Sequence, residues 1–344
     1  MEKDLSFLSR NEAVRRMNEW GKERRPFVFV IDYKQERSLV EAPEGIDPLV
    51  CLYDFCGVTN AGGSAFAPYT QDIRWQAFPE SESRFAGAFE VVRRNLLAGN
   101  SFLVNLTRKV PIDTNLSLEE MFHRSRAPYR LWLRGRFVCF SPEIFVRIRG
   151  GNIFAYPMKG TIDAALPDAQ QALREDEKEA AEHATVVDLL RNDLSMYATG
   201  VTVFRYRYFD RLVTNRGVLW QTSSEIGGRL PGDYREHLGD LLYDMLPAGS
   251  VTGAPKPKTM EIIAEAEGYE RGFYTGIAGY FDGSDLDSCV LIRFVEQEGD
   301  RLWFKAGSGI TSRSSVHGEY EEVKQKVYVP IHYCPVKNGN WSLK

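Results

Sequence analysis

The chain predicts an α+β fold: one large domain, a mostly antiparallel sheet sandwich with helices packed outside. Three observations lead there. Strand-like runs bounded by polar turns recur through both halves of the sequence. They do not alternate regularly with helices, as a doubly wound parallel sheet requires. No repeat, low-complexity tract or Gly/Ser linker marks a domain boundary. At 344 residues, 43% hydrophobic and 26% charged, the chain is long enough to bury a full core without disulfides or metal.

Taken in order, MEKDLSFLSRNEAVRRMNEW has an amphipathic helical rhythm and no continuous apolar core of signal-peptide length. Strands follow at FVFVID (27–32), SFLVNLT (101–107), YRLWLRGRFVCF (129–140) and EIFVRIRG (143–150), with a loop-like stretch around Thr59–Tyr69. VTVFRYRYF, GIAGYF, SCVLIRFV and RLWFKAG continue the pattern in the second half. Apolar spacing of three and four predicts helices over 84–98, 174–198, 233–246 and 255–267, with Val187, Leu190 and Leu194 as one core-facing stripe.

Composition narrows the function. Forty-three Lys and Arg against 47 Asp and Glu give a net charge of −4, with no basic block to attract nucleic acid or an anionic membrane. No stretch approaches 18 uninterrupted apolar residues. The five cysteines (51, 56, 139, 289 and 334) are odd in number and scattered, and read as free thiols of a reducing compartment, the cytoplasm.

Several clusters suit chemistry on a small anion. In K-E-A-A-E-H, Glu179 and Glu182 share a helix face; this is either a solvated acidic helix start or half of a magnesium shell. E-Y-E-E repeats the spacing at Glu319 and Glu322, followed by Lys326, so two pairs can converge on one ion. A-G-S-G-I (Gly307, Ser308, Gly309) reads as a glycine-rich turn, plain or anion-facing. Lys159, in Y-P-M-K-G-T, is an exposed charge or, if buried among apolar groups, a neutral nucleophile. Glu143, in S-P-E, is a capped turn or a general acid. Arg293, inside an apolar strand, calls for a carboxylate partner. G-S-V-T-G-A-P-K fails the Walker pattern and reads as a tight loop into a helix.

In order, S-F-L-V-N-L-T, S-P-E-I-F, P-M-K-G-T, K-E-A-A-E-H with V-D-L-L-R-N-D-L, G-S-V-T-G-A-P-K, R-G-F-Y-T-G-I-A-G-Y, A-G-S-G-I and E-Y-E-E-V-K-Q-K closely resemble the chorismate-utilising enzymes. The resemblance implies a large sheet sandwich with outer helices. It implies an Mg²⁺ shell of Glu179, Glu182, Glu319 and Glu322, with Glu182 and Glu322 nearest, holding the C1 carboxylate of chorismate. Tyr274, Arg293 and the 307–309 turn match residues that grip the substrate carboxylates, and Lys326 matches a lysine at the same end. Glu143 matches the acid that protonates the departing C4 hydroxyl; Thr161 and His183 match further active-site positions.

Within the family, members that add water to C2 carry a lysine where this chain has Leu103. Lys159 stands where aminodeoxychorismate synthases have lysine and anthranilate and isochorismate synthases have alanine. The resemblance thus implies amination at C4 through a Lys159 adduct, with ammonia from a separate glutamine amidotransferase subunit. Anthranilate synthase component I is the alternative within the family, and a non-catalytic chorismate-binding scaffold the alternative outside enzymes. By this reading residues 1–85 form a shortened N-terminal region integral to the fold without a tryptophan-feedback motif, 86–330 the chorismate-binding catalytic domain and 331–344 a C-terminal tail.

Overall fold

Alternation along single strands sets the layers. In Phe27–Ile31, Phe27, Phe29 and Ile31 pack with the helical residues Ala13, Met17 and Leu238, whereas Val28 and Val30 pack against Tyr53, Leu131 and Phe137 of another sheet. Phe137 and Cys139 likewise face the other sheet, while Val138 and Phe140 face outward toward Phe85 and Phe122. The result is helix–sheet–sheet–helix, as the sequence predicts. The structure, a computed structural model, describes residues 6–62, 73–214 and 217–328; most of the Thr59–Tyr69 stretch, the 331–344 tail and Cys334 lie outside them.

Among the described residues each sheet has nine strands, all paired antiparallel. One runs Met158–Asp163, Gly217–Arg229, Asn152–Ala155, Ile144–Arg149, Leu286–Val290, Ile277–Phe281, Phe27–Ile31, Ser38–Glu41, with Thr199–Thr214 also on Gly217–Arg229. The other runs Gly253–Ala254, Leu103–Thr114, Arg301–Ile310, Phe294–Glu298, Phe137–Ser141, Tyr129–Leu133, Cys51–Phe55, Val58–Thr59, with Trp75–Ala77 on Leu103–Thr114. Cys51, Cys56, Cys139 and Cys289 are free thiols. Among the described residues no helix is long and apolar enough to cross a membrane.

Four local corrections follow. The helix expected over 174–198 is two, Ala169–Glu175 and Glu177–Ser195: Asp176 leaves helical geometry and its carboxylate caps the second by accepting from Glu179 N at 3.0 Å. The 233–246 helix begins as a 3₁₀ turn, Tyr234–His237, before Leu238–Asp244. S-C-V-L-I-R-F-V is not one strand. Its first part ends at Val290 in one sheet and its last starts at Phe294 in the other, with Arg293 at φ +53° in the passage between them. A-G-S-G-I is not a turn but part of the strand Arg301–Ile310, paired with 104–108.

Pro142–Glu143 makes a second passage between sheets beside the first. Val290 N donates to Glu143 O (3.1 Å) and Phe140 N to Arg293 O (3.0 Å), so the two crossings are clamped together. The third support is the G-S-V-T-G-A-P-K loop. Gly253 takes φ +123°, and a Cβ there would lie 1.8 Å from Leu103 O, so only glycine permits this approach to Leu103–Thr114.

Candidate functional site

A cavity of about 650 Å³ opens between the sheets where these three supports meet. Glu143, Lys159, Thr161, Glu179, Glu182, Tyr274, Arg293, Gly307, Ser308, Gly309, Glu322 and Lys326 line it; His183 and Glu319 do not.

Gly307 and Gly309 form its floor. They lie two residues apart on one strand, hence on one face, and side chains from elsewhere occupy the space a Cβ would need. At Gly307 that Cβ would meet Asn105 Oδ1 at 2.7 Å; at Gly309 it would meet Lys159 Nζ at 3.0 Å and Leu103 Cδ1 at 3.3 Å. Lys159 reaches this point from Met158–Asp163, whose register slips at Gly160 (φ +70°).

Lys159 is partly buried, its side chain 22% exposed, and its surroundings are acidic. Its ammonium lies 3.2 Å from Glu182 Oε2. Burial alone would lower its pKa; the carboxylates of Glu182, Glu322 and Glu179 outweigh burial and hold it above the ordinary lysine value. The apolar setting considered from sequence is absent, because Glu177–Ser195 and Val316–Gln325 both turn acidic side chains to this wall.

Lysines interleave the four glutamates. Lys178 lies 3.7 Å from Glu182 and 3.4 Å from Glu319, and Lys326 lies 2.6 Å from Glu322. Burial pushes Glu179 up, as does neighbouring Glu182. Burial would also raise Glu322, but the Lys326 ammonium holds it below the usual carboxylate range. Among the described residues no three acidic, His or Cys side chains close around a point tightly enough to bind a metal unaided. Glu182 Oε1 and Glu319 Oε2 are nevertheless buried without a hydrogen-bond donor. An all-carboxylate set with unmet acceptor capacity, completed by water and substrate, fits Mg²⁺.

Across the cavity, Glu143 accepts a 2.5 Å hydrogen bond from Ser250 Oγ. Burial raises its pKa, and the opposing pull of Ser250 and Lys159 does not cancel that, so its acid form persists to higher pH than usual. Arg293 Nη1 donates to Lys326 O (3.0 Å), and Lys326 Nζ donates to Gly307 O (2.8 Å), which concentrates cations at one end. Burial raises the pKa of Tyr274, keeping its hydroxyl protonated. This pairing of a cationic end with an acidic wall suits a small polyanion bound through a cation at one carboxylate.

His183 stands behind this wall. It bonds Ser224 Oγ at 2.6 Å through Nε2, and burial, with Arg207 and Lys159 nearby, pushes its pKa down to about 4. Glu267 and Glu270 are structural: Glu270 pairs with Lys34, and Glu267 with Arg271.

Sequence reasoning missed Ser250, Asn105 and Lys305, all on the cavity wall. A serine inside G-S-V-T-G-A-P-K was a signal for the first. Lys305 had none: its ammonium is buried against Glu296 (2.7 Å) and Arg271 O (2.9 Å).

Arg271 is the keystone of the loop and floor. It pairs with Glu267 at 2.6 Å, both side chains 1% exposed, and donates to Val251 O and Asn105 O. Arg271→Ala is expected to destabilise the fold by about 3–5 kcal/mol, because it strands the Glu267 charge. A urea midpoint equal to the parent's would contradict this.

A family profile described as chorismate binding enzyme matches residues 63–332. An uncharacterized PabA-like protein of Haemophilus influenzae is 47% identical over 318 residues, 92% of this chain and 96% of that one. Aminodeoxychorismate synthase component 1 of Salmonella typhimurium is 33% identical over 295 residues, 82% of this chain and 63% of that one. Among solved structures, anthranilate synthase component I of Streptococcus pneumoniae superposes with TM-score 0.63 at 29% identity, over 75% of this chain and 59% of that one. The menaquinone-specific isochorismate synthase of Escherichia coli shares the fold, with TM-score 0.71 at 18% identity over 94% and 82%. The chain belongs to the chorismate-binding enzymes.

Proposed function

We propose that this protein is aminodeoxychorismate synthase component I, converting chorismate and ammonia to 4-amino-4-deoxychorismate with Mg²⁺, in the cytoplasm. Ammonia would come from glutamine through a partner amidotransferase. The observation that carries this reading is the position of Lys159 Nζ, inside the cavity over Gly309 and facing the glutamate wall. Leu103, buried beside it, supplies no base to activate water for addition at C2.

In this mechanism the free amine of Lys159 adds to C2 while the two conjugated ring double bonds shift and the C4–O bond breaks. Glu143 gives its proton to the departing hydroxide, which leaves as water. Ammonia then forms the C4–N bond as the C2–Lys159 bond breaks, and the proton shed by the new ammonium returns to Glu143. Mg²⁺ held by Glu182, Glu322, Glu179 and Glu319 would fix the C1 carboxylate and offset the charge that keeps Lys159 protonated. Arg293, Lys326 and Tyr274 would grip the remaining carboxylate.

The test is product identification. With chorismate, Mg²⁺ and ammonium, the expected product becomes 4-aminobenzoate only after a lyase is added, and chelation with EDTA stops turnover. Fluorescent anthranilate with pyruvate would overturn the reading in favour of anthranilate synthase; no consumption of chorismate, even with a matched amidotransferase, would favour a scaffold.

A further inference from the structure

We propose that Asn105 is the docking group for the amine nucleophile, its side-chain carbonyl receiving an N–H of ammonia beside C4; this rests on the aminodeoxychorismate reading. Asn105 Oδ1 is buried without a donor, yet the residue lines the cavity. A buried amide oxygen left without a donor is costly, and a ligand N–H or O–H removes that cost.

Its place is fixed from both sides. Asn105 N donates to Thr252 O at 2.9 Å and its carbonyl accepts from Arg271 Nη2 at 2.7 Å, so the backbone beneath the side chain is held. Asn105 Oδ1 lies over Gly307 and Lys159 Nζ over Gly309. Positions two apart on a strand are separated by roughly 7 Å, so the floor carries one nitrogen nucleophile at one position and an acceptor for the other at the next.

The chemistry of an amide suits the task. A neutral carbonyl binds ammonia through N–H and leaves its lone pair free, whereas a carboxylate would favour ammonium, which has none. Chorismate offers mainly acceptors, and its one hydroxyl, at C4, leaves as water before ammonia adds in the proposed mechanism. An unmet carbonyl on the floor therefore fits a donor that arrives separately.

The test is steady-state kinetics with ammonium chloride as amine source, plus intact-mass detection of the Lys159 adduct without ammonium. Asn105→Leu is expected to raise the ammonium KM about tenfold or more, with the chorismate KM within about twofold and the adduct retained. An unchanged ammonium KM, or a chorismate KM raised equally, overturns the inference. If Asn105→Leu fails to fold, Asn105→Asp decides: a lower ammonium KM with reduced kcat is expected, and parental values of both overturn it. A parent enzyme that makes the C4 amine while the variants behave as parent removes this inference alone. A parent that makes none removes the functional reading and the inference together.

Discussion

Lys159→Ala is expected to abolish the chorismate-derived adduct and to lower formation of the C4 amine by at least ~10³-fold, about 4 kcal/mol of transition-state stabilisation. The reasoning is geometric. In the proposed mechanism the amine reaches C2 from the cavity floor, and Lys159 Nζ stands over Gly309 there. Lys326 and Lys178 are also close to the glutamate wall, but Lys326 is tied to Gly307 O and Glu322, and Lys178 lies outside the cavity lining against Glu182 and Glu319. Intact mass after a chorismate pulse with denaturing quench reads this directly; an adduct surviving in the variant, or mapping to another residue, refutes the role. Chorismate binding is expected to survive, since Arg293, Tyr274 and Lys326 remain.

Glu143→Gln is expected to slow turnover about 10²–10⁴-fold with little change in chorismate KM. Glutamine keeps the shape and the acceptor for Ser250 Oγ but has no proton for the leaving hydroxyl. The parent's pH profile carries the same information. Because burial raises the pKa of Glu143, activity is expected to fall as pH climbs through that raised value, on the alkaline side of an ordinary carboxyl. Stability follows the same sign. Between the unfolded pKa near 4.5 and the raised folded value the native state holds the extra proton, so this residue makes unfolding easier as pH rises across that window. The variant should lose that component. A Gln variant with parental kcat would show that the hydroxyl leaves without this acid.

Much of the architecture was legible because strands of a sandwich alternate between two layers, and Phe27–Ile31 or Phe137–Ser141 declare both. What failed to show was where a strand leaves its sheet. S-C-V-L-I-R-F-V is apolar on both sides of Arg293, since Val290 and Phe294 are equally buried in different sheets, and no Gly or Pro marks the break. The glycines of A-G-S-G-I looked like a turn because sequence records a missing side chain, not the Asn105 and Lys159 atoms that fill its place. The glutamate pairs were visible through helical spacing. So were Lys178 and Lys326 one turn from Glu182 and Glu322, but not the third lysine: Lys159 and Glu182 meet through a bulged strand and a capped helix, which no periodicity encodes. Ser250 and Glu143, 107 residues apart, meet only because a loop closes over a sheet crossing.

Those paired crossings bear on how the enzyme can change. Glu143 and Arg293 sit on the two short passages that sew one sheet to the other, so under the proposed mechanism its acid and its carboxylate-binding arginine cannot be lifted out as a module or grafted as a loop. Redesign of either passage must keep the seam intact, whereas the glutamates of the wall stand on helices, so a change there leaves both sheet crossings in place. The route to a new product from this scaffold runs through the helices and the floor, with the seam left alone.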